Sequence, residues 1–191
     1  GIIKVLNNPF ALTPDFDGPD QPGGMIPHYE DDLGKWAAPF IMATINTKNV
    51  HRTNFLLGHP YGKDFRYDEM MLTSPGDAGK AAANAVVDML KNPFGAKPPK
   101  PGEGPSKEER ENGHYDVVFI GEWPDGQRLH YGVKGRYDPG YGSTSRMLAE
   151  TGIALLTSDA KGGVGTPGAF LGEALVERLR EHAALTFAVE E

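Results

Sequence analysis

The sequence predicts an α+β fold, a mostly antiparallel sheet with helices packed on one face. Three observations predict it. Tyr115–Gly121 and Arg128–Gly135 read as strands joined by the turn signal Pro124-Asp125-Gly126, so they form a hairpin. Gly76–Lys91 is Ala-rich and reads as a helix, and Leu171, Leu175, Val176 and Leu179 form the apolar face of another. The strand-like Leu185–Val189 closes the chain.

Taken in order, residues 1–35 form an irregular lead-in rich in Pro, Gly and Asp. Asp15-x-Asp17-Gly18 resembles the start of a calcium loop. Pro19 follows, however, and the twelfth position is Ile26 where a bidentate Glu is required. Trp36–Leu57 reads as the first main helix, with Pro39 near its start and Gly58 beyond its end. Phe40, Ile41, Ile45 and Leu56 supply its packed face; Asn46, Asn49 and Asn54 face solvent or line a pocket. Phe65–Leu72 alternates and reads as a strand. Residues 92–113 are a Pro/Gly-rich connection, within which Ser106 and Glu109 form a capping box for a short helix ending at Gly113. Ser145–Leu156 reads as a helix, because Met147, Leu148, Thr151 and Leu155 fall at i, i+1, i+4 and i+8. The hairpin strands, Phe65–Leu72 and Leu185–Val189 are expected to share one sheet. Its uncovered face would then meet a partner domain or a twin subunit.

Composition narrows the function. The chain has 191 residues, no cysteine and a formal charge of −7 without a basic cluster. Disulfides and thiolate zinc sites are excluded, a reducing, cytoplasmic setting is expected, and nucleic acid is not an expected partner. The apolar runs are too short to span a bilayer, and no signal peptide opens the chain. The start at Gly1 without an initiator Met is expected to mark either a piece of a longer protein or a processed terminus. Six histidines lack metal-ligand spacing, so no metal is expected.

Gly163-Val164-Gly165-Thr166-Pro167-Gly168 matches G-x-G-x-x-G in form. A dinucleotide fingerprint needs its first glycine at the end of a buried strand. Here the preceding apolar segment reads as a helix, and six residues separate Leu156 from Gly163. The motif is therefore read as a glycine-rich loop with Pro167 in the first helical turn.

Several stretches, in order, resemble the C-terminal half of saccharopine dehydrogenase-like oxidoreductases, in the branch called trans-acting enoyl reductases. They are NNPFALTPD, WAAPFIMATINTKNVHRTNFLLG, YGKDFRYDEMM, PKPGEGPSKEERENG, DPGYGSTSRMLAETGIALL and GGVGTPGAFLGEALVERL. The resemblance implies that residues 1–191 are one C-terminal substrate and dimerisation domain. A Rossmann half bearing the true fingerprint would be its missing partner, and the whole a homo-oligomer. NAD(P)H would serve the full-length protein, and none is expected on the isolated chain.

A reductase of this kind needs a hydrogen-bond donor or proton source for a developing oxyanion. Tyr141 is the candidate catalytic residue, in the loop Asp138–Thr144 before a helix N-terminus. Asp138, Gly140, Thr144 and Arg146 are candidate substrate-binding residues beside it, as are Tyr67 and Glu69 on one strand face. The bland readings are a turn capped by Ser143 or Thr144, and a solvated strand face. His51 and Arg52 either bind an anion or decorate a surface helix. The function expected is thus the substrate-side and oligomerisation domain of an NAD(P)H-dependent oxidoreductase, not competent alone. Two alternatives stay open: a standalone binding or scaffold module without chemistry, and a complete small enzyme using the glycine loop. Enoyl, carbonyl and imine reduction, and NADH and NADPH, are not distinguished.

Overall fold

The computed structural model describes residue 5, residues 7–91, residue 100 and residues 102–190. The sequence readings of residues 1–4, 6, 92–99, 101 and 191 lie outside these. The described residues hold six strands and six helices in an α+β arrangement. The chain divides into two compact units, Gly1–Pro98 and Pro99–Glu191, and the division falls in the Pro/Gly-rich connection.

In the first unit, β1 (His28–Glu30), β2 (Lys35–Pro39) and β3 (Met70–Leu72) form an antiparallel sheet in the order β1-β2-β3. Helix α1 spans Ala43–Leu56 and α2 spans Gly76–Lys91. The bounds of α2 are those read from the sequence. The segment Trp36–Leu57 is not one helix: its first residues are strand β2. Ala37 and Ala38 are 2% and 0% exposed, as is Ala83 of α2 at 0%. Small side chains at these positions serve tight burial, and Ala's helix propensity yields to it. Phe65–Leu72 is also shorter as a strand than expected, since only Met70–Leu72 joins a ladder.

The lead-in is held by aromatic contacts. Phe10 meets Phe16 and His51 with ring centroids 5.7 and 4.5 Å apart, and Phe16 meets His59 at 4.4 Å. Such pairs add to plain area burial. Arg52 donates to the Leu12 carbonyl at 2.9 Å, pinning the same segment from the helix side.

In the second unit, α3 (Lys107–Asn112) carries the expected capping box. Ser106 Oγ accepts from the Glu109 N–H, and the Glu109 carboxylate accepts from the Ser106 N–H. The hairpin strands are β4 (His114–Glu122) and β5 (Arg128–Arg136), and β6 (Leu185–Glu190) pairs antiparallel with β5. The sheet order is β4-β5-β6. The terminal strand therefore pairs with the hairpin as expected, whereas β3 belongs to the other sheet. One sheet holding all four is corrected to two sheets, because β3 has its ladder partner in β2.

Helices α4 (Gly142–Thr157), α5 (Pro167–Leu171) and α6 (Glu173–His182) complete the unit. The chain breaks between α5 and α6 at Gly172, where φ is 51°. Leu179, Ala183 and Leu185 form the core, with Val133, Met147, Leu175 and Phe187 packed on it. Helices thus cover one face of this sheet, the face of Val133, Leu185 and Phe187. The other face is largely polar, with Val118 and Ile120 among its side chains: Lys134 pairs with Asp116 at 3.2 Å and Glu190 at 2.9 Å, and Arg128 pairs with Glu122 at 2.7 Å. Glu150 and Arg178, 2.7 Å apart and mostly buried, tie α4 to α6.

Candidate functional site

The candidate residues fall into two groups, one in each unit. Asp138, Gly140, Tyr141, Thr144 and Arg146 lie at the start of α4. Tyr67 and Glu69 lie in the first unit, in the segment leading to β3.

At α4 the loop is built around one carboxylate. Asp138 Oδ1 accepts from the N–H of Gly140 at 2.9 Å and of Tyr141 at 3.1 Å, and Oδ2 accepts from the Gly142 N–H at 2.5 Å. Its backbone carbonyl accepts from the Ser143 N–H at 2.8 Å. These are the donors a helix start leaves free. The Gly142 N–H, followed by those of Tyr141 and Gly140 and the Arg110 charge, holds the Asp138 carboxyl below the usual carboxylate range. The anion that a helix N-terminus favours is thus supplied by the chain itself.

The cap is neither Ser143 nor Thr144. Ser143 is fully buried, and its Oγ shares a 2.9 Å hydrogen bond with the Tyr115 hydroxyl. Thr144 Oγ1 donates to the Pro139 carbonyl at 2.6 Å. Arg146 donates to the Gly142 carbonyl at 2.8 Å, and its guanidinium lies 3.8 Å from the centroid of the Tyr137 ring. Tyr141 is the exception: it is 60% exposed and its side chain makes no capping bond. A tightly held backbone therefore presents an outward phenol, which can donate to an oxygen of a bound molecule.

In the first unit, the side chain of Gln21 organises a polar cluster that sequence reading missed. Its Oε1 accepts from His51 Nε2 at 3.1 Å and from the Tyr67 N–H at 2.9 Å. Its Nε2 donates to the carbonyls of Pro19 at 2.9 Å and Phe65 at 3.2 Å. This side chain takes the place of a ladder partner for residues 65–67. Tyr67 and Glu69 are half-buried while Arg66 and Asp68 are exposed, so the alternation stands without the strand.

Glu69 Oε1 accepts from Asn46 Nδ2 at 2.9 Å, and the buried Oε2 has no partner among the described residues. Burial, then the Glu69 and Asp68 charges, push the Tyr67 phenol up to about 12. Tyr67 thus stays a protonated donor beside an acceptor carboxylate. His51 is 3% exposed, and burial lowers its pKa. It is not a surface residue, as one of its two readings had it. The spacing of His51 and Phe55 at i and i+4 is the signal that could have placed it inward. Asn54 is also buried and pins the turn after α1, accepting from the Tyr61 N–H at 3.0 Å and donating to the Gly62 carbonyl at 2.9 Å.

The residues of the glycine loop do not fit a dinucleotide. Helix α4, not a strand, precedes Gly163. A Cβ built on Gly165 would lie 2.5 Å from the Phe170 ring, so the backbone of Gly165 is a seat for that ring. Thr166 caps α5, accepting from the Ala169 N–H. Among the described residues, no group of three or more His, Cys, Asp or Glu could hold a metal ion, and no helix is long and apolar enough to cross a membrane.

Comparison with known proteins adds relatives. The chain is 35% identical over 204 residues to a Mycobacterium tuberculosis protein whose name places it provisionally among the trans-acting enoyl reductases. The match covers 92% of this chain and 48% of that protein. It is 32% identical over 212 residues to the trans-acting enoyl reductase of Mycobacterium ulcerans, covering 97% and 50%. With that of Mycobacterium leprae it shares 31% over 208 residues, covering 93% and 49%. The chain therefore spans about half the length of the curated relatives it matches. No family model matches it, and no solved structure matches it significantly.

Proposed function

We propose that this chain is the substrate-side and oligomerisation module of a saccharopine dehydrogenase-like, NAD(P)H-dependent oxidoreductase, with enoyl reduction as its reaction. The observation that carries the reading is the pattern of homology. Proteins named trans-acting enoyl reductases align with more than nine-tenths of this chain, yet the chain spans half of each. The glycine loop supports the division of labour. Gly165 seats Phe170 and follows a helix, so the pyrophosphate cradle belongs to another stretch of polypeptide.

Within this reading Tyr141 is the group that meets substrate. Its phenol donates a hydrogen bond, or a proton, to the carbonyl oxygen on which negative charge develops. Asp138, Gly140, Thr144 and Arg146 set the geometry of its loop rather than the chemistry. Asp138 spends its carboxylate on three backbone N–H groups, and Arg146 is engaged by Gly142 and Tyr137. In the first unit, taken by itself, Tyr67 and Glu69 are a separate proposed substrate-binding pair, with the phenol held protonated as a donor.

The test is a titration of the chain with NADPH and with NADH, followed by nicotinamide fluorescence. The expected result is no saturable binding at micromolar concentration. A Kd at or below roughly 1 μM, about −8 kcal/mol, would overturn the reading. The reading frame flanking this segment should encode the dinucleotide-binding unit. In that full-length protein Tyr141→Phe should lower kcat for an enoyl thioester with little change in KM.

A further inference from the structure

We propose that two copies of this chain join through strand β4, edge to edge and antiparallel about a two-fold axis at Val118, so that the two three-stranded sheets become one six-stranded sheet. The proposal specifies the surface for the assembly part of the function above and is independent of the reductase part.

The first observation is an unprotected edge. β4 has β5 on one side and no strand on the other among the described residues. It is nine residues long, and its middle is Val117-Val118-Phe119-Ile120. Val117, Phe119 and Ile120 are 41%, 45% and 36% exposed. Proteins blunt exposed edges with short strands, prolines, bulges or lysines. β4 has no proline, bulge or lysine, and its two acidic residues, Asp116 and Glu122, are paired with Lys134 and Arg128; its register with β5 runs unbroken from His114↔Arg136 to Glu122↔Arg128.

The second observation is which backbone groups face outward. At the hairpin end the Trp123 N–H donates to the Gln127 carbonyl at 2.9 Å. In an antiparallel pair, hydrogen-bonded and non-bonded positions alternate. Tyr115, Val117, Phe119 and Gly121 therefore direct their backbone groups to β5. His114, Asp116, Val118, Ile120 and Glu122 direct theirs to the free edge. Val118 is the middle of the five.

The third observation is self-complementarity. A two-fold at Val118 pairs Val118 with itself through two hydrogen bonds and uses all nine residues. It sets Val117 against Phe119 of the second copy, and the reverse, covering these two exposed apolar side chains, and sets Ile120 against Asp116. It sets Tyr115 against Gly121, beside which the Trp123 ring of the same subunit lies. Within the subunit Tyr115 already lies over a glycine, since a Cβ on Gly135 would sit 2.1 Å from its ring. At the two ends it sets His114 against Glu122. No like charges face each other directly. The diagonal pair Asp116 and Glu122 is compensated, because Lys134 and Arg128 already hold these carboxylates. Other centres do worse: a two-fold at Asp116 opposes two aspartates, and one at Phe119 opposes Asp116 to Glu122. A C2 contact needs such a patch, complementary to itself.

The chain has no cysteine, so Val118→Cys introduces a single one. Paired at the two-fold, the two Cα atoms would stand about 5.5 Å apart, within disulfide reach. Two copies of Glu122→Cys would stand roughly 27 Å apart at the strand rise. The expected results are a dimer in sedimentation equilibrium, covalent dimer from Val118→Cys on mild oxidation, and none from Glu122→Cys. His114→Glu should raise the dimer dissociation constant about tenfold, from two like-charge pairs per dimer. His114→Glu with Glu122→His should restore it. Circular dichroism checks that each variant is folded. A monomer at high micromolar concentration would overturn the proposal, as would a dimer that cross-links through Glu122→Cys or ignores His114→Glu. None of these results bears on nicotinamide binding, so the reductase reading stands or falls separately.

Discussion

The Asp138 carboxylate accepts a 2.5 Å hydrogen bond from the backbone N–H of Gly142, the first residue of α4. Two further N–H groups, of Gly140 and Tyr141, share the same carboxylate. One side chain therefore fixes the entry to the helix and the position of Tyr141 together.

Asp138→Ala should fray the start of α4 and lower the unfolding midpoint of the second unit by a few degrees, as the loss of a helix cap does. The pH dependence has a definite sign. The folded pKa is lowered, so the unfolded state binds the proton more readily. The stabilisation is present above the ordinary carboxylate value of about 3.9 and is lost as pH falls through the lowered folded value. Acid titration of helicity should show this loss in the parent chain and not in Asp138→Asn. An identical acid profile in both would remove Asp138 from the role.

The glycine loop makes a second prediction. Gly165→Ala puts a Cβ where the Phe170 ring now lies. The ring must swing away from its seat, at a cost of about 1–3 kcal/mol in the stability of the second unit. Gly162→Ala, with open space around it, should cost far less. Chemical denaturation of the two variants separates them. Equal effects would mean that the loop is not organised around Phe170.

Tyr115 and Ser143 make a third. Their hydroxyls, 2.9 Å apart, connect β4 to α4, and Ser143 is fully buried. Tyr115→Phe leaves a buried hydroxyl short of a partner, whereas the double variant with Ser143→Ala removes both groups. A double-mutant cycle should give a coupling near 1 kcal/mol. Additive effects would show that the contact contributes nothing.

Much of the second unit was legible because its signals are local. The Ser106–Glu109 capping box, the Pro124-Asp125-Gly126 turn and the period of α4 each lie within one segment, and each was found. The first unit was harder because its decisive contacts are distant in sequence. Ala37 and Ala38 look helical by propensity and are strand by burial. Residues 65–67 alternate like a strand but find the Gln21 side chain, 44 to 46 positions away, instead of a ladder. The placement of Tyr67, Glu69 and Tyr141 was legible only as far as the face that Tyr67 and Glu69 share and the loop before α4 that holds Tyr141. That Asp138 would cap α4, with Ser143 turned inward to Tyr115, depends on β4 packing against the helix, which no local pattern encodes.

His51 carries the last prediction. Its ring is 3% exposed, stacks near Phe10 and donates through Nε2 to Gln21 Oε1 at 3.1 Å. Burial lowers its pKa, so the fold prefers the neutral ring. Protonation then favours the unfolded state, and stability rises with pH across the titration. The contribution is present above the unfolded value of about 6.5 and is lost as pH falls through the lowered folded value. The lead-in that carries Phe10 and Gln21 should loosen first, because two of its anchors meet this ring. Hydrogen exchange of residues 10–21 should therefore accelerate, beyond the intrinsic pH effect, between neutral and mildly acidic solution. His51→Gln keeps a donor toward Gln21 and cannot titrate. It should lower stability at neutral pH and abolish the acid-dependent loosening. If the lead-in of His51→Gln still opened with acid as the parent does, another group would hold the switch.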